Sequence, residues 1–128
     1  MNRTSQLTPA LGGALKGAFD WLTYSRTQLK TEKDAAPAIK QGNAFISGAF
    51  EQLKVDSGQK AAASESLKLA RDSAVLAARS YTAPDAQNSV VDSLIGGALH
   101  RIAETYSLLD KGYGIAGHTP TIPAVPNK

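Results

Sequence analysis

Apolar residues recur at intervals of three and four along most of the chain, which is the spacing that places side chains on one face of an α-helix. The first stretch with this pattern has apolar residues at Leu7, Leu11, Leu15, Ala18, Leu22 and Leu29. Three further stretches, around Ile46, Ala74 and Ala98, repeat it, and none shows the sustained alternation typical of a strand. The pattern predicts an all-α protein with helices near residues 8–31, 35–55, 58–81 and 84–111.

Prolines mark three of the predicted helix starts. Pro9, Pro37 and Pro84 each follow a Thr or Asp that could cap the helix, and each would lie in its first turn. Residues 82–85, "TAPD", also resemble a capping box, and Gly112 suits the end of the fourth helix. Because short connections make neighbouring helices antiparallel, we expect either an up-down bundle or two helical hairpins completed by neighbouring subunits.

The residues after the helices predict an extended arm. Pro120, Pro123 and Pro126 recur every third residue, which matches the three residues per turn of polyproline II. A disordered terminus is the alternative. The predicted organisation is a helical domain of residues 1–111 followed by a tail of residues 112–128. The side chains that we expect to dock this arm on a neighbouring subunit are Tyr113, Ile115, Ile122 and Val125.

Seven of the eleven glycines fall inside the predicted helices. Each glycine weakens a helix interior by about 1 kcal/mol relative to alanine, so a gain elsewhere must offset that cost. A small residue lets a second helix approach closely, within the chain or between chains. Helices of this kind could alternatively insert into a membrane once oligomerised. The predicted helix-packing interface comprises Gly12, Gly13, Gly17, Gly48, Gly96, Gly97 and Ala98.

The net charge of +3 is concentrated at the N-terminal end of the chain. The most basic stretch is "RTQLKTEK", in which Arg26, Lys30 and Lys33 could make secondary, non-specific contacts with nucleic-acid phosphates. The other positive residues are dispersed, which is typical of a solvated face. The absence of cysteine excludes a disulfide framework and a cysteine nucleophile.

The sequence offers little catalytic or metal-binding chemistry. His100 and Glu104 are four residues apart and share a helix face, but two ligands do not complete a metal site. The sequence contains no P-loop and no G-x-S-x-G turn. We therefore expect a protein with no catalytic residues, no cofactor and no metal.

The sequence also predicts where the protein is made. Residues 1–19 lack a continuous apolar stretch because Lys16 and several polar residues interrupt it, so they do not resemble a secretory signal. No stretch approaches the length of a membrane span. We expect a cytoplasmic or virion location.

This cysteine-free helical chain, rich in alanine, glycine, serine and glutamine and ending in a proline-rich arm, resembles the small structural, connector and ejection proteins of tailed-phage virions. The resemblance covers composition and helix pattern and transfers no functional residue. It implies a non-enzymatic component present in many copies in a particle. We therefore expect a helical assembly protein that self-associates and contacts other proteins of an assembly. The alternatives are a helical adaptor or inhibitor that binds another protein, and a membrane-active pore or ejection component.

Overall fold

The computed structural model describes residues 9–56 and 61–109, which form four helices and no strand. The helices are α1 (Pro9–Lys30), α2 (Ala36–Asp56), α3 (Ala61–Tyr81) and α4 (Asn88–Leu109). The predicted all-α fold is confirmed. The predicted arm of residues 112–128 lies outside the described residues, as do Tyr113, Ile115, Ile122 and Val125.

The start of α2 follows the sequence prediction. The Oδ1 atom of Asp34 accepts a hydrogen bond from the backbone N–H of Ala36 at 3.0 Å, and Pro37 lies in the first turn. The carbonyl of Ala35 accepts the first helical bond, from the N–H of Ile39 at 3.0 Å. An acidic side chain before the helix thus satisfies a backbone donor that the helix leaves free.

The end of α1 has a feature that the sequence does not reveal. Glu32 has a φ of 58°, in the left-handed region that usually favours glycine. Its N–H donates to the carbonyl of Leu29 at 3.2 Å, and the N–H of Lys33 donates to that of Gln28 at 2.8 Å. These two bonds form a Schellman motif, which ends the helix and satisfies its last carbonyls.

The predicted start of α4 near residue 84 is wrong, because the helix begins at Asn88. The hydroxyl of Thr82 donates to the carbonyls of Ala78 and Arg79, at 3.3 and 3.2 Å, so it ends α3 instead of capping α4. Pro84 occupies the second position of a turn. The N–H of Ala86 donates to the carbonyl of Ala83 at 3.1 Å and closes this turn. Proline is as well suited to that turn position as to the first turn of a helix.

The four helices form a closed up-down bundle in which each helix contacts its two neighbours, including α4 against α1. The closest pairs are α1 with α2 and α3 with α4, so the bundle is built from two hairpins. Large aliphatic side chains from all four helices fill the centre, and α3 contributes mainly alanines. The core includes Leu11, Leu15, Leu22, Ile39, Ile46, Leu67, Ala70, Ala74, Ala77, Ile95 and Ile102.

Candidate interaction surface

Exposed apolar side chains are concentrated on the α3–α4 hairpin. Among the described residues, the large hydrophobic side chains that are exposed all belong to these two helices. Apolar side chains of comparable size on α1 and on residues 36–53 of α2 are buried or partly buried. The exposed residues are Leu69 (36%), Val75 (36%), Leu76 (48%), Val90 (47%) and Leu108 (44%).

On α3, two of these residues share one outer face. Leu69 and Leu76 are seven residues apart, which is about two helical turns, and Ser73 lies between them on the same face. Val75 is adjacent to Leu76 in sequence but points about 100° away around the helix. Val75 therefore lies on a different flank of α3.

On α4, Val90, Gly97 and Leu108 fall on one face at intervals of seven and eleven residues. A Cβ atom built on Gly97 would lie 3.6 Å from the Oγ atom of Ser73. This contact places the outer face of α4 directly beside that of α3. We call the four exposed apolar residues on these adjoining faces the outer stripe: Leu69, Leu76, Val90 and Leu108.

Charged side chains flank the outer stripe on α3. Glu65, Asp72 and Arg79 are all exposed and recur every seven residues, so they lie on one flank of the helix. An apolar face with a charged border has the composition typical of a protein contact surface.

Two glycines allow α1 and α2 to approach closely. A Cβ atom on Gly17 would lie 2.7 Å from the Cδ1 atom of Phe45, and one on Gly42 would lie 2.6 Å from the Cδ2 atom of Leu22. Real Cβ atoms do not approach other atoms this closely, so a larger residue at either position requires a shift. Gly17 is one of the predicted interface residues, whereas Gly42 was not in that set.

The other predicted interface residues differ from one another. Among the described residues, nothing lies within 4 Å of a Cβ built on Gly13 or Gly48, so neither is a contact point in that part of the chain, and a role between chains stays a prediction. Gly12 is buried, and Ala98 is fully buried in the core. A Cβ on Gly96 would lie 3.4 Å from the Nη1 atom of Arg26.

The adjacent glycines of α4 therefore have different surroundings. Gly96 lies under the guanidinium of Arg26 on the α1 side, and Gly97 lies beside Ser73 on the α3 side. A Cβ atom at position 96 would be in ordinary van der Waals contact with this guanidinium, which reaches Asp92, one turn earlier on α4.

Arg26 forms a bidentate ion pair with Asp92. Its Nε atom donates to Oδ1 at 2.7 Å and its Nη2 atom donates to Oδ2 at 2.9 Å. These hydrogen bonds raise the pKa of Arg26 and lower the pKa of Asp92, and the positive charge of Lys30 lowers the latter further. Two of the donor atoms of Arg26 are thus directed to a carboxylate, and its contact with phosphate stays a prediction. Lys30 and Lys33 are exposed.

His100 and Glu104, which share a face of α4, have different surroundings. His100 is exposed, whereas the Oε1 atom of Glu104 accepts a hydrogen bond from the Nη1 atom of Arg101 at 2.8 Å. That bond, and a second one from Ser66 on α3, lower the pKa of Glu104. Within residues 9–56 and 61–109, no group of three His, Cys, Asp or Glu side chains could hold a metal ion.

Besides the Arg26–Asp92 pair, sequence reasoning missed the hydrogen bonds that Tyr81 and Asn43 make between the hairpins. The hydroxyl of Tyr81 accepts a hydrogen bond from the N–H of Ala35 at 2.9 Å and donates to Asp34 Oδ1 at 3.2 Å. The Nδ2 atom of Asn43 donates to the carbonyl of Ala74 on α3 at 3.2 Å. Both contacts join residues more than 30 positions apart, and no local motif predicts them.

No protein-family model, curated protein or solved structure matches this chain. In the part of the chain that the structure describes, no helix has both the length and the apolar character needed to cross a membrane.

Proposed function

We propose that this protein is a non-catalytic helical assembly protein that self-associates through the outer stripe of its α3–α4 hairpin. The observation that carries the proposal is the alignment of four large apolar side chains, each at least 36% exposed, on adjoining faces of two helices. Scattered apolar residues are ordinary on a protein surface, but an aligned and charge-bordered set favours an interaction site.

The two hairpins differ in a way that supports this proposal. The large apolar side chains described on α1 and α2 are all at least partly buried, whereas several on the α3–α4 hairpin are directed to solvent. A partner that covers the outer stripe would remove this apolar surface from water, which stabilises the complex. Arg26 and Arg101 each form an ion pair with a carboxylate. Such pairs are ordinary structural contacts in helical proteins and do not indicate catalysis.

The compositional resemblance to tailed-phage proteins adds a proposed setting, a virion component present in many copies. In that setting the other proteins of the assembly are further partners. A small adaptor or inhibitor would use the same outer stripe for a different protein, and the experiment below separates that alternative from self-association.

The experiment is the absolute mass in solution, measured by light scattering behind size exclusion, for the full chain and two variants. We expect the native chain to form a defined oligomer, and Leu76→Lys to shift it to the monomer, because a charge in the contact is costly to desolvate. Val75→Lys is the matched control, because it places the same charge on the next residue and on another flank. We expect it to assemble like the native chain.

Two outcomes would contradict the proposal. A native chain that stays monomeric over the accessible concentrations would favour the adaptor or inhibitor. A Leu76→Lys variant that assembles as the native chain does would exclude the outer stripe as the contact. Circular dichroism on both variants checks that the helices are retained, which we expect for two exposed positions.

A further inference from the structure

We propose that the partner covering the outer stripe is a second copy of this chain, packed with its α3 antiparallel to the first across a two-fold axis. This inference rests on the proposed self-association and adds its geometry. When two copies of one helix pack antiparallel across a two-fold axis, every pair of residues that face each other has the same midpoint along the helix. The exposed residues of α3 can therefore be tested for a shared midpoint.

The apolar residues define one midpoint. Leu69 and Leu76 are centred between Asp72 and Ser73, so a two-fold axis there places Leu69 against the partner's Leu76, and Leu76 against the partner's Leu69. On the side that faces α4, the surface at this midpoint is formed by small residues, since Ser73 lies beside Gly97. A shallow centre lets two helices approach closely enough for the leucines to pack.

The charged residues define a midpoint only half a residue away. Glu65 and Arg79 are centred on Asp72, so a two-fold axis near Asp72 and Ser73 also places each Glu65 carboxylate close to the partner's Arg79. Both side chains are exposed, and neither forms an ion pair within the described part of the chain. They lie on one flank of α3, and residues of the same flank face each other when two helices pack antiparallel.

This charge pattern selects the antiparallel direction. In a parallel two-fold pair, this flank of one copy lies on the opposite side of the contact from the same flank of its partner, so Glu65 and Arg79 of the two copies do not meet. The antiparallel pair brings them together, with attraction at both ends. It also brings the two Asp72 carboxylates near each other at the axis, which is an unfavourable contact that the arrangement must tolerate.

The test measures the dissociation constant of self-association by sedimentation equilibrium for charge variants of the full chain. We expect Glu65→Arg and Arg79→Glu each to weaken association roughly tenfold, because each replaces two attractive contacts by two repulsive ones. The double variant Glu65→Arg/Arg79→Glu should regain most of the native affinity. Asp72→Asn should tighten association, because it removes the like charges at the axis.

Lys40→Glu is the control, because Lys40 is exposed on α2 and lies outside the α3–α4 hairpin. Apart from the general effect of the altered net charge, the dissociation constant of this variant should stay within about twofold of the native value. If the single reversals and the double variant all associate like the native chain while Leu76→Lys dissociates, self-association stands and the antiparallel register is wrong. If the single reversals weaken association and the double variant does not recover, the register is also wrong. A monomeric native chain overturns both proposals.

Discussion

The helix contacts within the two hairpins differ in kind from the contacts between them. Within the α1–α2 hairpin, Gly17 accommodates the ring of Phe45 and Gly42 accommodates the side chain of Leu22. The α3–α4 hairpin likewise relies on small residues, mainly the buried alanines of α3. These contacts have no direction of their own and depend on how closely two helix surfaces fit.

The interfaces between the hairpins carry most of the directional contacts. Between α1 and α4, Arg26 pairs with Asp92. The Nζ atom of Lys16 also lies 5.8 Å from the centroid of the Tyr106 ring. Between α2 and α3, the guanidinium of Arg71 lies 4.7 Å from the centroid of the Phe50 ring. The hydrogen bonds of Asn43 and Tyr81 join the same two halves of the molecule.

The difference indicates a division of roles. Close packing of small residues gives each hairpin much of its stability, and a misfit there affects buried side chains that have little room to move. Polar and cation–π contacts at partly exposed positions contribute less each, but they hold only in one alignment of the two hairpins. We therefore expect substitutions within a hairpin to affect stability more than those between hairpins.

The largest effect expected from this comparison is that of Gly42→Ala. The added Cβ atom would lie 2.6 Å from Leu22, which is fully buried and cannot move away freely. We expect the free energy of unfolding, measured by urea denaturation, to fall by about 2 kcal/mol, after a partial offset from the better helix propensity of alanine.

Gly48→Ala is the matched control in the same helix, because nothing in the described part of the chain lies within 4 Å of its Cβ position. There the propensity gain should dominate and raise the free energy of unfolding by roughly 0.5 to 1 kcal/mol. Equal effects of the two substitutions would show that close approach at Gly42 does not govern the packing of α1 on α2.

A smaller effect is expected from the ion pair between the hairpins. A double-mutant cycle with Arg26→Gln and Asp92→Asn should give a coupling free energy of about 1 kcal/mol, since the geometry is bidentate but both side chains are about one-third exposed. The exposed Arg101–Glu104 pair within α4 is the reference and should couple more weakly. A weaker coupling for the Arg26 pair than for this reference would contradict its role in aligning the hairpins.

The sequence predicts the helices well because their signal is local. Apolar spacing of three and four residues needs no knowledge of other helices, and the cap of α2 at Asp34 can be read directly from the chain. The predicted start of α4 is wrong because Pro84 suits both a helix start and a β-turn. Choosing between them depends on Thr82, whose hydroxyl bonds to the preceding helix.

The candidate surface is less predictable because its contacts are distant in sequence. Gly13 and Gly17 lie on the same helix in similar local sequences, yet only Gly17 faces a ring, that of Phe45. Arg26 and Asp92 are 66 positions apart. One signal for the outer stripe was present: Leu69 and Leu76 do not share the helix face of Leu67, so α3 carries more apolar residues than one buried face needs.

The smallest predicted effect is a pH dependence of the free energy of unfolding that arises from the Arg26–Asp92 pair between the hairpins. The hydrogen bonds from Arg26 hold the pKa of Asp92 below its ordinary value of 3.8. A carboxylate with a lowered pKa stabilises the folded state fully above that ordinary value, and the contribution is lost as the pH falls through the folded-state pKa. Asp92→Asn removes the titrating group, so it should lower stability at neutral pH and cause a smaller loss in acid.

Urea denaturation of the native chain and Asp92→Asn, from about pH 7 to about pH 2.5, measures this difference directly. The gap in unfolding free energy between the two should be constant at neutral pH and narrow below about pH 4. Gly42→Ala serves as the contrast, because its misfit involves no titratable group and its gap to the native chain should not depend on pH. A gap for Asp92→Asn that stays unchanged in acid would mean that the ion pair does not stabilise the contact between α1 and α4, leaving the remaining polar contacts to align the hairpins.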